Sequence, residues 1–76
     1  MSRQLPTLRP QEIIRTLERA GFIELRRTGS HAIMWKEGRT RPVPIPVHSR
    51  GISRKLLLRI IKEAGLTQEA FLDYLP

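Results

Sequence analysis

His31 and His48 are the only side chains in this 76-residue chain that ordinarily titrate near neutral pH, and both stand at bends. His31 follows the small-residue turn Thr28-Gly29-Ser30 and opens the apolar run Ala32-Ile33-Met34-Trp35. His48 closes Ile45-Pro46-Val47. An imidazole beside a Gly-Ser turn has small neighbours, so a phosphodiester can come close to the ring. Near neutral pH such a ring can take a proton from a hydroxyl. In RNA the 2′-hydroxyl can attack the adjacent phosphate itself. The protein then needs a base, a proton donor for the leaving 5′-oxygen and cations for the crowded phosphate, and it needs no metal.

His31 is the candidate base. On spacing alone, a hairpin histidine more often only hydrogen-bonds its own turn. His48 could be an acid opposite His31, but its blander role is to fix the following loop by a side-chain-to-backbone bond. Ser30 could position a phosphate, although serine in turns mostly bonds its own backbone. Gly29 supplies the open approach. No acidic residues cluster with metal-ligand spacing, which counts against a two-metal nuclease and leaves no cofactor or metal expected.

The charge balance points the same way. Fourteen Lys and Arg stand against seven Asp and Glu, a net charge of +7. Eleven of those cations are Arg, which forks onto phosphate better than Lys. The simplest consequence is attraction to a polyanion or an acidic protein. Arg26, Arg27, Lys36, Arg50, Arg54 and Lys55 fall at strand ends, in loops and at a helix start, and are the expected phosphate contacts. Cysteine is absent, which excludes disulfides and Cys-based zinc sites. No apolar run approaches membrane-spanning length, and no apolar segment follows Met1-Ser2-Arg3-Gln4. The expectation is a soluble, cytoplasmic protein of one domain, residues 1–76, with residues 1–8 as a flexible arm.

The elements that must position these residues read as follows. Pro10 suits a first helical turn, and Ile13, Ile14, Leu17 and Ala20 recur at helical spacing up to Gly21. Residues 22–27 alternate as a half-buried strand, with Ile23 and Leu25 on one face and Glu24 and Arg26 on the other. Thr28-Gly29-Ser30 is a hairpin connection into a strand from His31 to Lys36. Ile33 and Trp35 are its expected core face. His31 shares that parity, a conflict that a turn or bulge at the strand start would relieve. Val43, Ile45 and Val47 share a face of a third strand, and Pro44 and Pro46 mark it as an edge or bulged strand. Ser53 caps a helix over 54–64, and Thr67 a short one carrying Phe71, Leu72 and Leu75. The fold class is α+β: a two-layer sandwich of order α-β-β-β-α-α, with a three-stranded antiparallel sheet and helices on one face.

In order along the chain, Ala20-Gly21-Phe22, Gly29-Ser30-His31, Ile45-Pro46-Val47-His48, Ala64-Gly65-Leu66 and Glu69-Ala70-Phe71-Leu72 resemble the HicA (YcfA-like) toxin family. Each motif is weak; the ordered set, from about Pro10 to Leu75, is specific. The resemblance implies a double-stranded-RNA-binding-domain-like fold and metal-independent endoribonuclease activity on mRNA. It also implies a toxin–antitoxin pair in which a HicB-like antitoxin covers the active site, and it maps the family's catalytic histidine onto His31. Two departures stand out. Arg54-Lys55-Leu56-Leu57 replaces a Lys-Gly-Thr-Leu-like stretch, and Ala32 replaces a frequent second histidine. The alternative reading is a non-catalytic RNA-binding module of the same fold.

Overall fold

The computed structural model describes residues 4–76; the first three residues of the expected arm lie outside the described residues. The elements are α1 (Pro10–Arg19), β1 (Ile23–Arg27), β2 (His31–Trp35), β3 (Val43–Pro46), α2 (Arg54–Glu63) and α3 (Gln68–Asp73). The strands form one antiparallel sheet in the order β1-β2-β3. The order α-β-β-β-α-α and the α+β, double-stranded-RNA-binding-domain-like architecture are those expected from the sequence.

Local chemistry sets the helix ends. Pro10 occupies the first turn of α1, and the Glu12 carboxylate accepts from the Arg9 backbone N–H at 2.9 Å. Gly21 ends that helix with φ +99°, a left-handed backbone that side chains resist. Phe22 N–H then donates back to Leu17 O at 2.9 Å, and both side chains are buried. Ser53 and Thr67 cap α2 and α3 by accepting from Leu56 N–H and Ala70 N–H, at 3.2 and 3.1 Å. Residues before α1 are tied in as well. Ile52 N–H donates to Leu8 O at 2.8 Å, and both residues are buried. That bridge brings the starts of α1 and α2 to the same end of the molecule.

α1 packs across all three strands, and α2 packs against β3 and α3. The sheet face they cover presents Ala32, Met34, Val43 and Ile45, each fully buried. This corrects the expected parity of β2: Ala32 and Met34 face the helices, and Ile33 and Trp35 lie half-buried on the opposite face. A period of two says which residues share a face, not which face is covered. On that face the Trp35 indole N–H donates to Arg39 O at 2.7 Å. The half-buried reading of β1 is also corrected. Ile23 and Leu25 are 54% and 50% exposed, and Phe22, just before the strand, supplies the buried contact.

β1 carries a bulge between Glu24 and Arg26. Ile23 pairs with Trp35 and Glu24 with Met34, but Arg26 pairs with Ile33 and Arg27 with Ala32. The extra residue reverses the alternation after Leu25. Arg26 therefore joins the open face, and Arg27 turns toward the helices. β3 is an edge strand, which accommodates Pro44 and Pro46 without loss of interior pairing.

Candidate active site and phosphate groove

The β1–β2 turn is held by its threonine. Thr28 Oγ1 accepts from His31 N–H at 2.9 Å and Ser30 N–H at 3.3 Å, and Thr28 N–H donates to His31 O at 2.8 Å. Gly29 is not in the left-handed region, and a Cβ there would meet nothing within 4 Å. The turn itself thus makes no demand for glycine at that position, and its outer side is open. Val47 N–H donates to Ser30 O at 2.9 Å, and His48 Nε2 donates to Gly29 O. The segment after β3 is therefore stitched to the hairpin by one backbone bond and one imidazole.

His31 is the first residue of β2 and pairs with Pro46. It shares the parity of Ile33 and Trp35. Because that face carries no helix, the ring is half-buried on the open side of the sheet and not in the core. Its Nδ1 lies 3.0 Å from Ser30 Oγ. If Nδ1 carries the proton, Ser30 accepts it and Nε2 holds a lone pair; if Ser30 donates instead, Nε2 carries the proton. In the first arrangement the Nδ1–H bond to Ser30 persists when Nε2 gains a proton, so one partner serves both the neutral base and the imidazolium. His48 has committed its Nε2 proton to a carbonyl, which makes it a clamp on the turn.

On the helix side of the same hairpin end is a groove of about 720 Å³. Arg9 lines it from the N-cap of α1 and Arg15 from the helix itself, Arg27 from β1, and Val47, Ser49 and Arg50 from the segment after β3. Arg27 reaches it because of the bulge. The Glu24 carboxylate takes Arg27 Nε at 2.9 Å and Nη2 at 2.8 Å. This bidentate bond holds the Glu24 carboxyl below its ordinary pKa and raises that of Arg27. Arg27 thus enters the groove in a fixed pose with part of its donor set engaged.

The structure brings Arg27 and Arg50 together, and adds Arg9 and Arg15, which sequence reasoning did not single out. The exposed stripe Gln11-Arg15 is visible in helical spacing, but what it faces depends on where β3 ends. Arg54 and Lys55 are exposed in the first turn of α2, just past the Leu8–Ile52 bridge, at the same end. Arg26 lies on the open face beside Ile33. Lys36 lies apart from these: it follows the far end of β2, about 16 Å of strand from His31, across Gly21. Arg39 serves the fold, its guanidinium bonding Glu63 O at the C-terminus of α2. Among the described residues, no group of three or more His, Cys, Asp or Glu side chains is placed to hold a metal ion. No helix among them is long and apolar enough to cross a membrane.

The small basic α+β domain thus carries a hairpin imidazole on its open sheet face and an arginine-lined groove on the helix side of the same end. The family model described as HicA toxin of bacterial toxin–antitoxin systems matches residues 10–66, three quarters of the chain. The chain belongs to the HicA toxin family, which gives it a toxin role and an antitoxin as partner. No curated protein matches the chain.

Proposed function

We propose that this toxin is a metal-independent endoribonuclease that cuts mRNA in the cytoplasm, with His31 as general base. The observation that carries the reading is the His31 ring on the open side of the hairpin, its Nδ1 3.0 Å from Ser30 Oγ, at the same end of the sheet whose helix side carries the arginine groove. With Ser30 accepting from Nδ1–H, Nε2 takes the proton of a 2′-hydroxyl. The 2′-oxygen forms a bond to the adjacent phosphorus, and the bond from phosphorus to the 5′-oxygen breaks. The imidazolium so formed returns its proton to the leaving 5′-oxygen. The products are a 2′,3′-cyclic phosphate and a 5′-hydroxyl. Arg27, Arg50, Arg9 and Arg15 hold the flanking phosphates, and Arg54 and Lys55 extend the cationic field at that end.

The test is single-stranded RNA incubated with the purified protein in EDTA, beside His31→Ala. Cleavage with cyclic-phosphate ends, reduced about 10²-fold or more in the variant, is expected. Equal cleavage by both proteins would overturn the assignment of His31. RNA bound but left intact by the wild-type chain favours the non-catalytic RNA-binding module.

A further inference from the structure

We infer that α2 carries one flank of a bound RNA strand away from the hairpin into a second phosphate site at the opposite end of the sheet, a cleft built by Arg41, Arg59 and Lys62. The inference rests on the RNA-binding part of the reading above and not on the cleavage step.

The cleft has a volume of about 460 Å³ and is lined by Arg39, Arg41, Pro42, Arg59, Lys62 and Glu63. Met34 pairs with Val43, so Arg41 and Pro42, just before β3, stand at the end of the sheet opposite His31. Arg59 and Lys62 reach the cleft from the second half of α2. The same helix connects it to the first groove. Arg50 lines that groove, and α2 begins four residues later at Arg54. Lys55, Arg59 and Lys62 follow at spacings of four and three, so they share one face of the helix, and all three are exposed. The ten residues of α2 span about 15 Å, room for about two to four phosphates at the roughly 3.4 Å or more that separates them along one strand.

The cleft is kept cationic. The C-terminal carbonyls of a helix repel an anion, but the Arg39 guanidinium bonds Glu63 O and covers one of them. A Cβ on Gly65 would collide with that guanidinium, so the glycine that ends α2 also leaves room for it. Glu63 is the one carboxylate in the lining. It lies 3.5 Å from Arg59 in an exposed pair, which a phosphate displaces at little cost.

The lining also selects the occupant. A protein interface has an apolar centre. Among the six lining residues Pro42 alone is apolar, so the cleft offers charge and almost no surface to desolvate. The backbone of a nucleic acid strand takes such a surface.

The probe is a uridine oligonucleotide with methylated 2′-oxygens, which cannot attack its own phosphates and stays intact whatever His31 does. Fluorescence anisotropy at about 0.15 M salt compares a tetranucleotide with a strand of about twenty nucleotides. Arg41→Glu and Lys62→Glu are each expected to weaken binding of the long strand about 5- to 10-fold and to lower its salt slope by about 0.7. The tetranucleotide, held by the first groove, is expected to stay within about twofold. Lys36→Glu is the charge-matched control, at the same end of the sheet but beside Gly21 on the α1 side. Arg39 stays in place, and circular dichroism confirms the fold of each variant. Equal losses in all three variants, or equal losses for the two strands, overturn the inference, because net charge then accounts for them. Wild-type affinity for the long strand in both cleft variants overturns it as well, and if those variants lose the antitoxin instead, the cleft belongs to the protein. Arg50→Glu, at the first groove, weakens both strands if the RNA reading holds, so failure of the cleft alone is told apart from failure of that reading. A wild-type chain that binds neither strand sinks both.

Discussion

His48 and Gly29 are nineteen residues apart in the chain, and the imidazole of one holds the carbonyl of the other. The bond joins the loop after β3 to the turn that presents His31. Replacing His48 by Ala removes a hydrogen bond with a net contribution of about 0.5–1.5 kcal/mol. The expected outcome is a modest loss in thermal stability and a lower cleavage rate, because the turn no longer holds His31 in one place. His48→Gln keeps an N–H donor and is expected to recover part of that rate. The pH–rate profile separates a clamp from an acid: a clamp leaves its shape unchanged in His48→Gln, whereas loss of the alkaline limb assigns proton donation to His48.

Ser30 acts on the ring it touches. Ser30→Ala leaves Nδ1 without its partner 3.0 Å away. A rate loss of about 5- to 10-fold, with RNA affinity unchanged, is expected. Ser30→Thr retains the hydroxyl and is expected to restore most of the rate. Nitrogen-15 spectra of the imidazole read the tautomer directly, and an unchanged tautomer ratio in Ser30→Ala counts against the positioning role.

The arginine groove predicts how binding responds to salt. Removing one cation from a phosphate of a single strand lowers the slope of log K against log salt by about 0.7. Arg15→Glu and Arg50→Glu, in a His31→Ala background that leaves the RNA intact, are each expected to reduce that slope. Lys36→Glu, at the far end of β2, is expected to change it little. Fluorescence anisotropy across a salt series measures all three.

Glu24 and Arg27 give a pH-dependent prediction. The guanidinium lowers the carboxyl's pKa in the folded state below its ordinary value of 4.5. A depressed carboxyl contributes stability that is present above the unfolded value and is lost as pH falls through the folded one. The pair's contribution should therefore hold at neutral pH and fade below about 4.5. In Arg27→Ala the Glu24 carboxyl is expected to titrate closer to 4.5, which carbon-detected NMR reads at that one side chain.

The two faces of β2 can be told apart by stability. Met34→Ala opens a cavity in the covered layer and is expected to cost about 2–5 kcal/mol, whereas Ile33→Ala on the open face costs far less. Denaturant melts of both variants decide the parity, and a reversed order of costs rejects it.

The sequence carries the fold further than it carries the site. Caps and left-handed glycines write the helix limits into single residues: Pro10, Gly21, Ser53, Gly65 and Thr67 act through their own backbone or hydroxyl. The faces of the strands are less legible. Ile33-Met34-Trp35 is apolar on both parities, so alternation has no polar side to mark as wet, and size alone points to the wrong pair as core. Ala32 fits there because α1 crosses close to the sheet. The bulge at Leu25 leaves no glycine or proline as a signal, so the placing of Arg26 and Arg27 on opposite faces is invisible. His31 is legible from its turn, but its exposure follows only once the helices are known to cover Ala32 and Met34. Arg9 and Arg15 escape a linear reading because the groove belongs to three separate segments, and each segment taken alone shows ordinary solvated arginines.

The single extra residue in β1 has a consequence for how such a protein can change over generations. It lets one five-residue strand send Arg27 to one side and Ile23, Leu25 and Arg26 to the other. Substitutions on the two sides then meet different selective tests. Leu25 can drift without touching the cations under the hairpin. A regular strand that kept all five residues would end this independence, because Arg26 and Arg27 would exchange sides and a change on one face would disturb the other.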